Sequence, residues 1–368
     1  MKKQESIGFI QTAILLFAFL SGSSIIVIPA PVITYASNSA WLSLLLSMSF
    51  GLVLLSIILY LLRLYPDKSF IGICRVAIGR WPTVVVACLM LTMAFHMATG
   101  IIIDVVAFMN SMMLPETPGY VFMCLMFIMS ALLLRTGIES MARMFTILTV
   151  VVFFCWLTVI ILLIPSFHME FLQPVFPDGI KPTLLGGYLT SGFPYGEIVL
   201  FAVILPFTKD IKSKPLKRSL LAVILLNGAM LTITTLSTIM ILGPIATEKK
   251  YSLFVLAQTI EIGDIIERIE AIIGMSMIAG SLMKASITLF AIQTIITELF
   301  GLQDHRLLSN PLCLLVQIMS LSMPTTMKAW EDLVLVIHPL WVGIAYILPF
   351  LLITIVAFFR QPARAAPA

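Results

Sequence analysis

Long apolar runs alternate along the chain with short stretches that hold most of the charge. A membrane-crossing helix rises 1.5 Å per residue and needs about 20 apolar residues. Ten runs meet or approach that length: about 7–34, 39–62, 82–113, 118–134, 144–165, 185–207, 218–242, 268–293, 307–325 and 333–359, here spans 1 to 10. The fourth and ninth are short. The pattern predicts an all-α membrane protein with ten transmembrane helices.

Composition narrows the class further. Of 368 residues, 60% are apolar and 11% charged, against about half and about a quarter in soluble domains. That excludes a soluble enzyme, a disordered chain and a secreted disulfide scaffold. Cys74, Cys88, Cys124, Cys155 and Cys313 show no C-x-x-C spacing. They read as small buried hydrophobes, with no disulfide or zinc framework and no metal site expected. Met1-Lys2-Lys3 precedes a run from Ile7 to Val32 that is too long for a signal-peptide core, so the first span is expected to be retained.

The placement of charge sets an orientation. With the N-terminus inside, 16 of the 22 Lys and Arg fall in inside loops, five in outside loops, and Lys284 in a span. Basic loops stay cytoplasmic, which predicts both termini there. The net charge of +4 includes no basic block, so no nucleic-acid partner is expected. The loop Ser252 to Glu270 sets Leu253, Phe254 and Leu256 against Glu261, Asp264 and Glu267. It predicts an extracellular helix lying over the bundle. The tail Gln361 to Ala368 is expected to be disordered.

Two spans carry helix breakers at their centres. Span 1 holds Leu20-Ser21-Gly22-Ser23-Ser24, then Pro29 and Pro31. Span 6 holds Gly186-Gly187, then Ser191-Gly192-Phe193-Pro194-Tyr195-Gly196-Glu197. Non-helical backbone inside a bilayer is tolerated where it lines a cavity; a packed proline kink is the alternative. Spans 1 and 6 each open a set of five, repeat one at about 7–165 and repeat two at about 185–359 of a single domain. An odd number of spans inverts the second set. Interrupted segments at matching places in inverted halves point to a transporter-type binding site. Free N–H groups at a half-helix N-terminus suit an anion, so an amino-acid carboxylate is expected at Gly22, Ser23 and Ser24.

Asp104, Glu197 and Lys284 are full charges inside spans, and each needs protein, water or a partner beside it. An ion pair of Lys284 with Glu197 or Asp104, gating or orienting the site, is one reading; polar packing between helices is the other. Asp104 also fits a solvated outer vestibule, and His96 a satisfied interior histidine. The remaining ligand contacts expected are Ala98 and Thr99 in span 3, Gly192, Phe193, Pro194 and Glu197 in span 6, and Lys284 with Thr288 one helical turn on.

A run from Gly22 closing on Pro29, Gly196-Glu197 in span 6, the Lys-rich loop after it, Gly301-Leu302 after span 8 and the ten-span length resemble the spore-germinant receptor B subunits. These are the GerAB-type permeases of the amino acid/polyamine/organocation superfamily. Members usually read Gly-x-Gly in span 1, where this chain has Gly22-Ser23-Ser24. The resemblance implies a five-plus-five inverted repeat like that of LeuT, with helices 1 and 6 broken. It also implies sensing of a small nutrient, beside an A subunit and a lipoprotein C subunit, in the spore inner membrane. An active amino-acid permease is the alternative. Proton-coupled superfamily members often carry Lys in span 5, and Phe145 to Ile164 is uncharged here. No phosphate loop, H-E-x-x-H or Gly-x-Ser-x-Gly motif occurs, so neither catalysis nor a cofactor is expected.

Overall fold

Backbone N–H and C=O groups in a bilayer must pair within the chain, which leaves helices as the economical solution for apolar runs of this length. The computed structural model describes residues 5–66, 68–260, 268–323 and 333–360. Among them regular structure is helical apart from one parallel β-bridge between Ile7 and Thr208.

Span 1 is three pieces, Phe9–Ser21, Ser24–Val27 and Pro29–Ala36. Span 2 is Ala40–Leu64, span 3 Arg80–Phe108, span 4 Gly119–Thr136 and span 5 Ile138–Leu163. Span 6 runs Lys181–Thr190, unwinds over Ser191–Gly196 and resumes as Ile198–Phe201. Span 7 is Lys214–Leu242, span 8 Glu270–Phe300 and span 9 Ser309–Ser322, and span 10 begins at Leu333 and ends at Phe359. Among the described residues, eight helical stretches are long and apolar enough to cross a bilayer by length and composition. Spans 6 and 9 bring the number to ten, the first because it is broken and the second because its helix has only 14 residues.

Span 5 starts at Ile138, six residues before the expected 144, because Gly137 at φ +84° turns the chain directly out of span 4. Side chains are scarce at that dihedral. The helix Ser252–Gln258 does not lie over the bundle but is driven into its end. Phe254 is buried, and its ring meets Phe108 edge-on at 5.2 Å between centroids. Glu261, Asp264 and Glu267 of that loop, Lys328, the residues Met1 to Lys3 and the tail Gln361 to Ala368 lie outside the described residues.

Spans 1 and 8 form the centre: 78% and 83% of their apolar windows are buried, against 28% for span 5 at the periphery. Outward residues such as Ile147, Phe154 and Leu352 are exposed and apolar, as lipid requires. At the N-terminal end the chain is stitched down. The Ile7 N–H donates to Phe207 O and the Lys209 N–H to Ile7 O, both at 3.0 Å. Glu5 Oε2 accepts from the Ile138 N–H at 2.9 Å, and Glu5 Oε1 pairs with Arg306 at 3.0 Å.

Candidate functional site

The helix of span 1 stops at Gly22, whose ψ of −105° leaves the helical region. The turn closes locally: the Ser24 hydroxyl donates to Leu20 O at 2.6 Å, replacing a backbone donor that the break removes. Gly22 sits where the backbones of spans 1 and 8 nearly touch. A Cβ there would lie 2.9 Å from Lys284 Cβ and 3.2 Å from Gly280 O. Both glycines therefore permit a close approach that presses the break in span 1 onto the stem of Lys284.

In span 6 the helix fails at Phe193, with φ −126° and ψ 120°. The Phe193–Pro194 bond is cis. The chain re-enters a helical turn at Glu197, which points its carboxylate at span 8. Lys284 Nζ donates to Glu197 Oε2 at 2.5 Å, with both side chains sealed from solvent. The ammonium also lies 4.0 Å from the centre of the Phe193 ring and 5.5 Å from that of Phe19. Glu197 Oε1 is 3.2 Å from His338 Nε2 of span 10, off the line of a hydrogen bond. His338 in turn faces His96, which stacks on Trp341 at 4.9 Å.

These groups border a partly open cavity with a free volume of about 30 Å³, room for one or two waters. Its walls are Ser23 from span 1; His96, Met97, Gly100, Ile101 and Asp104 from span 3; Phe193 and Glu197; Lys284; and Val334 with His338. Ser23 is buried there with its hydroxyl unbonded. A second void of about 30 Å³ lies beyond Phe193, walled by Val27, Ile28, Pro31, Val32, Leu189, Thr190, Val334 and Leu335.

Of the expected site residues, Ser23, Asp104, Phe193, Glu197 and Lys284 meet at this cavity. The others do not reach its surface. Gly22 faces the Lys284 stem, Ser24 turns back on its own helix, and Gly192 packs on Pro339. Pro194 is buried beside the break. Ala98 and Thr99 are buried one position away from the wall formed by Met97 and Gly100. Thr288, on the Lys284 face as spaced, spends its hydroxyl on Lys284 O at 2.8 Å, within its own helix. Asp104 is half-buried and lines the cavity. His338 escaped the sequence reading altogether. Applying to neutral histidines the search made for charges inside spans finds it, at the start of span 10 beside Pro339.

Among the described residues, two interrupted helices meet at a buried polar junction within a helical membrane bundle, the architecture of a transporter-like fold. Solved structures agree on the fold. MhsT in complex with L-phenylalanine superimposes with a TM-score of 0.69 at 12% identity, over 97% of this chain and 99% of that one. A Na+-coupled sialic acid symporter gives 0.69 at 12% identity, over 99% and 82%. Mhp1, a nucleobase-cation-symport-1 family transporter, gives 0.66 at 9%, over 97% and 84%. These likenesses show a LeuT-type fold. The family is fixed by sequence: the spore germination protein (spore permease) family matches residues 6–328, and the chain belongs to it. Spore germination protein KB of Bacillus subtilis (strain 168) is 24% identical over 98% of this chain and 97% of its own length. Spore germination protein XB of Bacillus anthracis is 28% identical over 50% of this chain and 52% of its own length.

Proposed function

We propose that this chain is the nutrient-sensing subunit of a spore germination receptor, and that an amino acid binds where spans 1 and 6 unwind. The observation that carries this reading is the convergence of both breaks on one buried ion pair, Glu197–Lys284, beside a polar cavity. A charge pair sealed in a membrane protein costs desolvation that packing alone would avoid, so a role in ligand response accounts for it better than a structural one. The family and the transporter-like fold support a receptor or carrier, and we assign no catalytic step.

The free volume of about 30 Å³ is too small for an amino acid, so this conformation is the closed one of at least two. A ligand that binds the other tenfold better shifts the balance by about 1.4 kcal/mol. The shift passes to an A subunit and a lipoprotein C subunit in the spore inner membrane. Both termini are cytoplasmic in this reading, and the two halves, about 7–165 and 185–359, move as inverted repeats.

Thermal-shift screening of the purified chain against the twenty amino acids tests the ligand class. At least one should raise the apparent Tm saturably, and a uniform lack of response removes the proposal. An active permease is favoured instead if proteoliposomes holding only this chain accumulate that amino acid above its gradient. The transporter neighbours keep this second reading open.

A further inference from the structure

The surroundings of Lys284 resemble a ligand site more than a salt bridge. One hydrogen bond, to Glu197 Oε2, holds the ammonium. Its other approaches are aromatic faces, Phe193 at 4.0 Å and Phe19 at 5.5 Å. A carboxylate with ring faces inside about 6 Å is the chemistry by which proteins take up ammonium groups from ligands. The cage also stands between the two unwound segments, with Phe193 and Glu197 both belonging to the break in span 6. The adjoining void is too small for more than water, so nothing of ligand size reaches Glu197 unless the lysine withdraws. Asp104 stands on the same cavity wall. The lysine stem rests on Gly22, so its departure also frees the break in span 1.

We infer that Glu197, Phe193 and Phe19 form a receptor for a primary ammonium group, filled in this closed conformation by the chain's own Lys284. A ligand's ammonium takes the cage when the lysine leaves it. The self-filled cage is thus a built-in competitor that holds the unliganded state shut. The inference rests on the proposed ligand site and names the group recognised there.

Methylammonium chloride is the probe. On the Lys284→Ala variant it should raise the apparent Tm saturably, by roughly 2 °C or more at ten times its dissociation constant. Methanol, its neutral counterpart, should do nothing, and tetramethylammonium, whose five heavy atoms exceed the four that Lys284→Ala vacates, should respond more weakly than methylammonium. The wild-type chain should not respond, because its cage is full. The response should vanish in Lys284→Ala combined with Glu197→Gln. A Lys284→Ala chain indifferent to methylammonium, or one whose response survives loss of Glu197, overturns the inference. If Lys284→Ala does not accumulate, Lys284→Met keeps the stem volume, and the ammonium ion, which is the size of a water, replaces methylammonium as probe with the same expected and overturning results. Amino-acid binding by the wild type, with no cation response in either variant, removes the cage and leaves the sensing proposal standing. A methylammonium response without any amino-acid binding does the reverse.

Discussion

Replacing Glu197 by Gln leaves a buried ammonium without its anion, and Lys284→Met leaves a buried carboxylate without its cation. At 2.5 Å and an effective dielectric of about 20, the gross attraction between the two is about 7 kcal/mol. Desolvation of both ions offsets most of it, so the intact pair adds little net stability. The singles should nevertheless be costly, at about 3–5 kcal/mol each, because each strands a charge with no access to water. For a domain of this size that corresponds to roughly 5–15 °C in apparent Tm. The double variant Glu197→Gln/Lys284→Met buries two neutral groups of similar shape and should recover most of the loss. The assay is a double-mutant cycle in one detergent at one scan rate, read by intrinsic fluorescence. A coupling energy below about 1 kcal/mol, or a double variant that loses the sum of the two singles, would refute the claim that these groups pair in a sealed site.

Other outcomes follow from the same geometry. Gly22→Leu should drive its side chain into Lys284 and the Gly280 carbonyl, cost about 1–3 kcal/mol of overpacking and abolish amino-acid binding, whereas Gly343→Ala, with open space around it, should leave the binding isotherm unchanged. Arg306→Gln breaks a half-exposed pair and should shift stability by less than about 1 kcal/mol, while Glu5→Ala also uncaps Ile138 and should cost about 1–2 kcal/mol by thermal unfolding. Burial pushes the Cys74 thiol, on the short helix Phe70–Ile78 between spans 2 and 3, up to about 12. Since the thiolate is the reactive form, only about one in 10⁴ is available at pH 8. Maleimide should therefore spare Cys74 in the folded protein and label it on unfolding, with folded-state labelling rising as pH rises, by mass spectrometry.

The spans were legible because the bilayer imposes one length and one chemistry on each of them, and the breaks because Gly22 and Ser191–Gly196 interrupt that chemistry at mid-run. That Lys284 needs a carboxylate inside the spans was legible too, but Glu197 and Asp104 both fitted, and the structure pairs it with Glu197. What spacing did not reveal was the direction in which hydroxyls spend their donors. Ser24 and Thr288 look like ligand groups in sequence, yet each satisfies a carbonyl of its own helix, the commonest use of Ser and Thr inside a span. Ala98 and Thr99 missed the cavity by one residue because a helix turns 100° per position, and no pattern in span 3 fixed its rotation; its face to the site is set by His96, Gly100 and Asp104. His338 stayed hidden because span 10 holds no full charge to draw the eye and it lies over 130 residues from the Glu197 it faces.

Phe193 and Val334 together partition two chambers, one bordered by charged side chains and one by mostly aliphatic ones. Were that partition to give way, the two would join into one compartment with a polar end at Glu197 and a greasy end at Val27 and Leu189. A guest shaped to fill it carries an ionic head and an apolar body, and the aromatic leaf dividing the rooms decides how long that body can be.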